Sequence, residues 1–405
     1  MYRIKRSPGP RNKGVHVAGE RLLGLALSAA PDTRAVPELC KRVRFRKSTC
    51  RTCSDVCPEN AISFNPGPTI SGSCSDCGLC EIACPMEALR NELRTDQLLL
   101  AEARSLRSQE STRGRGKILS VGCQWAELEN GAGVRVPCLG RVSENIILGA
   151  ALLGFDELVL IKGRCVECRW KQGEQVLTDS ISRSRALLEM GGFNRISITF
   201  EERQRSNENA LPRRELFASL GRSLRKQMAV VLHQPETTIR EMLEKDPESE
   251  TCVAPRRAHL RALLRQAPLD GRTTEQTEGL RWAKVMIDEA RCSACGICAH
   301  LCPTAAISQV REAGYEVISC RSSLCTNCDL CQQACPEGAI RFEEWATLAD
   351  AIDDEWKILA RVGMSECGAC GNTIPARGKG LCPTCEKRQA RSAHVEPQRD
   401  ERSQE

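Results

Sequence analysis

Three stretches of the chain repeat one pattern: "CSDCGLCEIACP" from Cys74, "CSACGICAHLCP" from Cys292 and "CTNCDLCQQACP" from Cys325. Each reads C-x2-C-x2-C-x3-C-P. Cysteines packed this tightly and closed by Cys-Pro point to metal ligation rather than to a disulfide framework. Three thiolates wrap a short loop round one cubane, and Gly78 and Gly296 let the backbone turn closely. The fourth cysteine cannot reach the same cluster and ligates a partner cluster, while proline ends the loop and opens a short helix. For the later pair both motifs are complete: Cys292, Cys295, Cys298 and Cys335 take one [4Fe–4S] cluster, and Cys325, Cys328, Cys331 and Cys302 the other. A zinc array is the alternative. Cys320 stands five residues ahead of the last motif and is expected to be a surplus, buried thiol.

The earlier pair has one irregular member, "CKRVRFRKSTCRTCSDVCP", Cys40 to Pro58. Cys74, Cys77 and Cys80 take Cys57 as their fourth ligand, and Cys84 joins Cys50 and Cys53. Regular spacing puts the missing ligand at Lys47, which cannot serve. Cys40 is the candidate, brought back by the intervening loop. The alternative is a three-cysteine site, either [3Fe–4S] or a cubane with a non-cysteine ligand. Lys41, Arg42, Arg44, Arg46 and Lys47 line that loop. They offset cluster charge, and in the sharper reading raise this cluster's potential or dock an acidic redox partner. Both pairs resemble bacterial two-cluster ferredoxin domains, over about 40–90 and 284–345. The resemblance implies a small β-α-β-type fold round each pair and one-electron transfer at low potential.

Between the pairs lies an alternation of elements. "KILSVGC" reads as a strand into Cys123 and "VRVPCLG" as another into Cys138. "SENIILGAALLGF" is a helix with Ser143 as N-cap and Gly154 near its end. "DELVLIKG" is a buried strand running into "RCVECRW", followed by the helix "DSISRSRALLEMGG" and the strand "RISITF". Strands alternating with helices predict a parallel α/β unit. Cys123, Cys138, Cys165 and Cys168 each fall at or just beyond a strand's C-terminal end, the edge where open α/β sheets bind ligands. Together they make a candidate metal or cluster site; a thioredoxin-like Cys-x-x-Cys and plain buried thiols are the alternatives. The block from Val136 to Trp170, with its P-C-x-G-R motif and two-cysteine loop, resembles the delta subunit of methyl-viologen-reducing hydrogenase. That resemblance, over roughly 117–200, implies a [2Fe–2S] cluster on these four cysteines. It also implies electron transfer between a hydrogenase or formate dehydrogenase and a heterodisulfide-reductase-like flavoprotein.

"CGACGNTIPARGKGLCPTC" supplies two Cys-x-x-Cys knuckles, Cys367 with Cys370 and Cys382 with Cys385. They predict a tetrahedral thiolate site, a zinc ribbon serving as an interaction module, with a rubredoxin-like iron as the alternative.

The elements that must carry these sites follow. The 405 residues allow several units, and 26 cysteines against only two tyrosines and seven phenylalanines argue for small cores held partly by metal. The expected class is α/β and α+β multidomain: two ferredoxin-like dicluster domains, a central parallel α/β domain and a small zinc-ribbon knuckle. The expected layout is an N-terminal extension over 1–39, dicluster domains over 40–95 and 284–345, the central domain over 115–200, a helical linker over 203–283, the ribbon over 364–388 and a disordered tail over 389–405. Arg21 to Ala30 reads as a short amphipathic or core helix, and Arg213 to Gln227 as a basic amphipathic docking or linker helix. His233, His259 and Cys252 have no ligand spacing.

A reducing, cytoplasmic location is expected from the cysteine usage, and no stretch approaches the ~18 apolar residues of a membrane span. The net charge of +6 is read as compensation for anionic clusters rather than a nucleic-acid footprint. No substrate pocket, nucleotide loop or catalytic triad is legible. The sequence therefore predicts a multi-cluster electron-transfer subunit without its own catalytic site, relaying single electrons from a dehydrogenase or hydrogenase to a flavin-containing or reductase partner. A cluster-assembly or maturation scaffold is the alternative, and a cluster- and zinc-containing regulator a further one.

Overall fold

The structure, a computed structural model, describes residues 31–109, 117–129, 133–193, 196–204, 254–267, 280–343, 347–377 and 380–393. The expected helices over Arg21 to Ala30 and Arg213 to Gln227, together with His233 and Cys252, lie outside these residues. The architecture is mixed α/β with several small sheets.

The first unit runs from β1 (Thr33–Ala35) through two single-turn helices, α1 (Lys41–Arg44) and α2 (Thr52–Asp55). It continues into the hairpin β2 (Ile62–Phe64) and β3 (Pro68–Ile70), then α3 (Leu79–Ala83) and β4 (Leu89–Asn91). β1 pairs antiparallel with β4, Arg34 opposite Arg90. The unit therefore begins near residue 33, not 40. The cysteine run marks the ligand loops but says nothing of the three-residue strand that closes the fold ahead of them. Asp76 anchors that strand, accepting hydrogen bonds from the Thr33 backbone N–H (2.9 Å) and hydroxyl (2.7 Å).

α4 (Asp96–Gln109) leads into the central unit: β5 (Ile118–Gly122), β6 (Val134–Arg135), α5 (Glu144–Leu152), β7 (Glu157–Lys162), α6 (Gly173–Met190) and β8 (Ser197–Glu202). Its four strands lie in the order β6-β5-β7-β8, all parallel. Leu158 to Ile161 in β7 are buried in an unbroken run, as a strand covered on both faces requires. α5 starts where Ser143 Oγ accepts the Ile146 N–H. It ends at Gly154, whose φ of +76° suits the left-handed residue after a helix. Every residue from Glu144 to Ala150 is buried, so α5 is a core helix rather than an amphipathic one.

α7 (Pro255–Leu264) packs on α5 and buries Leu260, Leu263 and Leu264 in the same core. The described parts of the expected linker, 254–267 and 280–283, are thus integral to the packing. Arginines between the leucines hide this in a polarity reading.

The second unit repeats the first: β9 (Lys284–Ile287), α8 (Ile297–Leu301), the hairpin β10 (Ile307–Glu312) and β11 (Tyr315–Cys320), α9 (Leu330–Ala334) and β12 (Ile340–Glu343), with β9 antiparallel to β12. After α10 (Leu348–Ile352), the ten-residue β13 (Lys357–Glu366) pairs with β11 at one end and with β14 (Thr373–Pro375) at the other. The knuckle is therefore tied by one sheet to the second unit. Finally α11 (Pro383–Ala393) starts on the knuckle and carries helix through 389–393, part of the segment expected to be disordered. Pro383 at its start, Glu386 in its first turn and Arg391 in its last suit a helix end to end. Residues 394–405 lie outside the described part.

Candidate cluster and metal sites

Among the described residues every cysteine is free of disulfides. The ribbon set is the most compact. The sulfurs of Cys367, Cys370, Cys382 and Cys385 lie within 4.8 Å of one another, and among the described residues no other group of ligand atoms meets that condition. A single ion with ~2.3 Å bonds to four thiolates needs sulfurs about 4 Å apart, so this set fits a mononuclear tetrahedral ion. Backbone N–H groups of Cys382 (3.2 Å) and Cys385 (3.4 Å) point at the sulfurs of Cys367 and Cys382. Hydrogen bonding from the Cys382 N–H leads the effects that lower the Cys367 thiol to about 6, prepared for a cation.

The other cysteines gather more loosely, as ligands to a polynuclear centre must. Set II, Cys57, Cys74, Cys77 and Cys80, lines one hollow with Ile62 and Ile70. Set III, Cys292, Cys295, Cys298 and Cys335, lines a second. Set IV, Cys302, Cys325, Cys328 and Cys331, lines a third. In sets II, III and IV one cysteine from one motif stands with three from the other, the arrangement that an exchange of fourth ligands gives. Backbone N–H groups of Ala61, Ala306 and Ala339 reach the sulfurs of Cys57 (3.3 Å), Cys302 (3.2 Å) and Cys335 (3.4 Å). The short helices position the remainder, entered through left-handed residues at Gly78, Gly296 and Asp329.

Set I gathers around Cys53. Burial raises that thiol to about 12, reinforced by Cys84, Cys50 and Cys40 in turn. Cys40 and Cys84 share one apolar cluster with Leu39 and Met86. The irregular loop is a turn of helix, α1, that starts from Cys40 and folds it back. Its cations are mostly engaged. Arg42 donates to the Cys50 carbonyl (3.1 Å) and stacks 4.4 Å over Phe64, Arg44 donates to the Glu38 carbonyl (2.7 Å), and Lys41 pairs with Asp329. Arg46 and Lys47 alone are exposed.

The central set lies where the strand order reverses, at the C-terminal ends of β5, β6 and β7, the position at which open α/β sheets bind ligands. Cys123 follows β5, Cys138 follows β6, and Cys165 and Cys168 follow β7. The Gly163 and Trp170 N–H groups reach the sulfurs of Cys123 and Cys168, each at 3.4 Å. Burial pushes Cys138 up to about 12, and neighbouring Cys77, Cys123 and Cys168 push the same way. In sets II to IV, Cys77 and Cys298 stand at about 11 and Cys328 at about 12, with burial first among the causes. Such groups ionise together only round a cationic core, so the donor chemistry fits iron–sulfur clusters. Cys320 is 1 % exposed beside set IV, a buried thiol with burial raising its pKa.

Two features escaped sequence reading. Arg141, the arginine of the P-C-x-G-R motif, is 2 % exposed and is clamped by Asp96 (2.6 Å) and Glu81 (3.3 Å), with Ser143 Oγ donating to Asp96 (2.7 Å). It joins the central unit to α3 of the first. Gly78 makes room for it: a Cβ there would lie 2.4 Å from Arg141 Cδ. Burial would raise Asp96, but the charges of Arg141 and Arg256, with hydrogen bonds from Arg141 and Ser143, together outweigh it and hold the carboxyl below its ordinary range.

The second feature is a group of arginines between the units. Arg257, 7 % exposed, donates to the carbonyls of Ser323 (3.2 Å), Arg281 (2.9 Å) and Cys325 (2.6 Å) and stacks 3.8 Å over Trp282. Arg256 donates to the Glu81 carbonyl (2.6 Å) and Arg281 to the Ala83 carbonyl (3.1 Å). None of the three has an ion-pair partner among the described residues. Burial first, then the like charges of Arg261 and Arg281, lower Arg257 to about 9, with Cys325 the first opposing influence; burial, then Arg183 and Arg256, lower Arg281 to about 10 against Glu144. Arg256 stands among carboxylates, Glu87 and Glu144 first, that favour its charge, whereas Arg257 is opposed chiefly by Cys325, and a buried cation short of counter-charge is costly. An anionic cluster on Cys325 or Cys84 supplies one.

Comparison with known proteins agrees with two of these regions. A family model of a 4Fe–4S dicluster domain matches residues 291–339, which hold all of sets III and IV. A family model of the delta subunit of methyl-viologen-reducing hydrogenase matches residues 125–217. It spans Cys138, Cys165 and Cys168 and starts two residues after Cys123. No curated protein matches the chain. Among the described residues, no helix is long and apolar enough to cross a membrane. The chain thus carries a 4Fe–4S dicluster domain and a region similar to the delta subunit of methyl-viologen-reducing hydrogenase, the makeup of an iron–sulfur electron-transfer protein.

Proposed function

We propose that this chain is a non-catalytic electron-transfer subunit holding four [4Fe–4S] clusters on sets I to IV, a [2Fe–2S] cluster on Cys123, Cys138, Cys165 and Cys168, and a zinc ion on the ribbon. When bound, the iron–sulfur groups supply reversible one-electron oxidation and reduction. The protein's part is to hold them by thiolates, exclude water with Leu, Ile and Val side chains, and tune them with N–H and arginine charge. Each electron comes from a reduced hydrogenase- or formate-dehydrogenase-like donor and passes to an oxidised flavoprotein or reductase. The reading rests above all on the gathering of five separate cysteine quartets, none compact enough for a single ion.

Metal analysis of anaerobically purified chain with EPR tests it. Roughly 18 iron (four times four plus two) and about one zinc per chain are expected. About 14 iron would remove one cubane from the proposal. Delivery of clusters to apo-proteins, without stable reversible reduction, would replace the relay by an assembly scaffold.

A further inference from the structure

The five iron–sulfur sets follow one another through the molecule without a branch. Cys138 and Cys168 of the central set pack on the apolar cluster that contains Cys77 of set II. Gly173 keeps that approach close: a Cβ there would lie 2.4 Å from the Cys138 sulfur and 3.4 Å from Leu79. Set II meets set I through Cys80, which shares one buried apolar cluster with Cys53 and Leu89. Set I then meets the second unit. Cys328 of set IV packs on the cluster formed by Leu39, Cys40, Cys84 and Met86. The Thr326 hydroxyl donates to the Met86 sulfur (3.0 Å), and Lys41 pairs with Asp329 across the same seam. Set IV meets set III inside the second unit, where Cys292 and Cys298 share one buried apolar cluster with Cys325 and Cys331.

Both ends open to the surface. Val166, between Cys165 and Cys168, is 96 % exposed, and Cys295 of set III is exposed. At the middle of the series the buried arginines Arg256, Arg257 and Arg281 converge. Arg256 donates to the Cys84 carbonyl (3.4 Å) and Arg281 to the Ala83 carbonyl (3.1 Å) beside set I, and Arg257 donates to the Cys325 carbonyl of set IV. Glu87 places two of them, its carboxylate accepting the backbone N–H groups of Arg256 and Arg257, both at 2.8 Å. A fixed positive charge in a low-dielectric site stabilises the state with one more electron, so it raises the reduction potential of the centre it faces.

We infer that the centres form one unbranched series in the order central set, II, I, IV, III, and that Arg257 is a positioning residue raising the potential of the set IV centre at its inner junction. This rests on the clusters proposed above being bound, but it needs no knowledge of donor or acceptor. Failure of partner electron transfer would leave it standing, and its own failure would leave the relay standing without this order.

Potentiometric titration with EPR on the anaerobic full-length chain tests it, comparing wild type with Arg257→Gln and Arg257→Lys. A Cys331→Ser variant assigns the set IV signal. In Arg257→Gln the set IV midpoint should move to more negative potential while the set III and central midpoints stay put, and Arg257→Lys should recover most of the shift. An unmoved set IV midpoint overturns the role of Arg257. If Arg257→Gln loses the centre, Arg257→Lys decides. A centre present near the wild-type midpoint supports the role of charge, and a lost or displaced one overturns it. Spin–spin interaction in the fully reduced wild type tests the order. Coupling between the set I and set IV signals is expected. Its absence, or coupling between the central and set III signals, overturns the series.

Discussion

Cys40 carries the most at the scale of a single residue. It stands seven positions ahead of where a regular motif puts a ligand, yet it is buried in one cluster with Cys84 and acts on Cys53. Cys40→Ser should remove or convert the set I centre and lower iron by up to about four per chain. If all four cubane signals survive unchanged, Cys40 is not a ligand. Arg141 makes a second residue-scale prediction. Arg141→Ala leaves Asp96, 5 % exposed, without its counter-charge, and breaking a buried pair in this way costs about 3–5 kcal/mol. Gly78→Ala attacks the same contact from the other side, since it needs φ of +79° and puts a Cβ against Arg141. It should cost roughly 2–4 kcal/mol. Both should lower the thermal midpoint of the anaerobic holoprotein; unchanged midpoints would mean that the Arg141 clamp does not hold the two units together.

At the scale of elements, the ribbon and α7 behave differently. The ribbon is held by four thiolates and the small cluster of Ile374, Cys367 and Cys382, with little apolar core. Its fold therefore depends on the ion. Cys382→Ser should abolish bound zinc and leave iron at roughly 18 per chain; a parallel loss of iron would show that the ribbon supports set III. α7 depends on packing and on Glu87, which accepts its first free N–H groups. Glu87→Ala should destabilise α7 by about 1–2 kcal/mol, the scale of a lost N-terminal cap. Faster amide exchange in α7 than in β9 and β12 is the expected signature, and unchanged exchange would assign the helix start to packing alone.

For the whole molecule, the consequence of the arrangement is that two cysteine-rich units of the same strand–helix order, far apart along the chain, adjoin. Set I and set IV adjoin across Met86, Thr326 and the Lys41–Asp329 pair. The central unit attaches through Arg141 on one side and α7 on the other. The net charge of +6 is thus not a uniform surface property. Arg141, Arg257 and Arg261 are all buried, and part of the basic excess lies inside, against ligand loops or carboxylates.

Cysteine spacing by itself marked out the proposed ligand sets, because a cubane-binding loop is local: three thiolates within seven residues can wrap one centre whatever surrounds them. The alternation of strands and helices in the central unit was also legible, because β7 and α5 carry their burial in their own apolar pattern. What only the tertiary structure decided is non-local. The strand β1 is three residues long and means nothing until β4 lies beside it. β13 joins the ribbon to the second unit by pairings that no short-range pattern announces. Arg141 and Arg257 read as surface charge, because an arginine's burial depends on partners that lie elsewhere in the chain: Asp96 and Glu81 for Arg141, the carbonyls of Ser323 and Cys325 for Arg257. The order of the sets belongs to the same class. Spacing says which thiolates share a centre, but which centres adjoin depends on how the units pack.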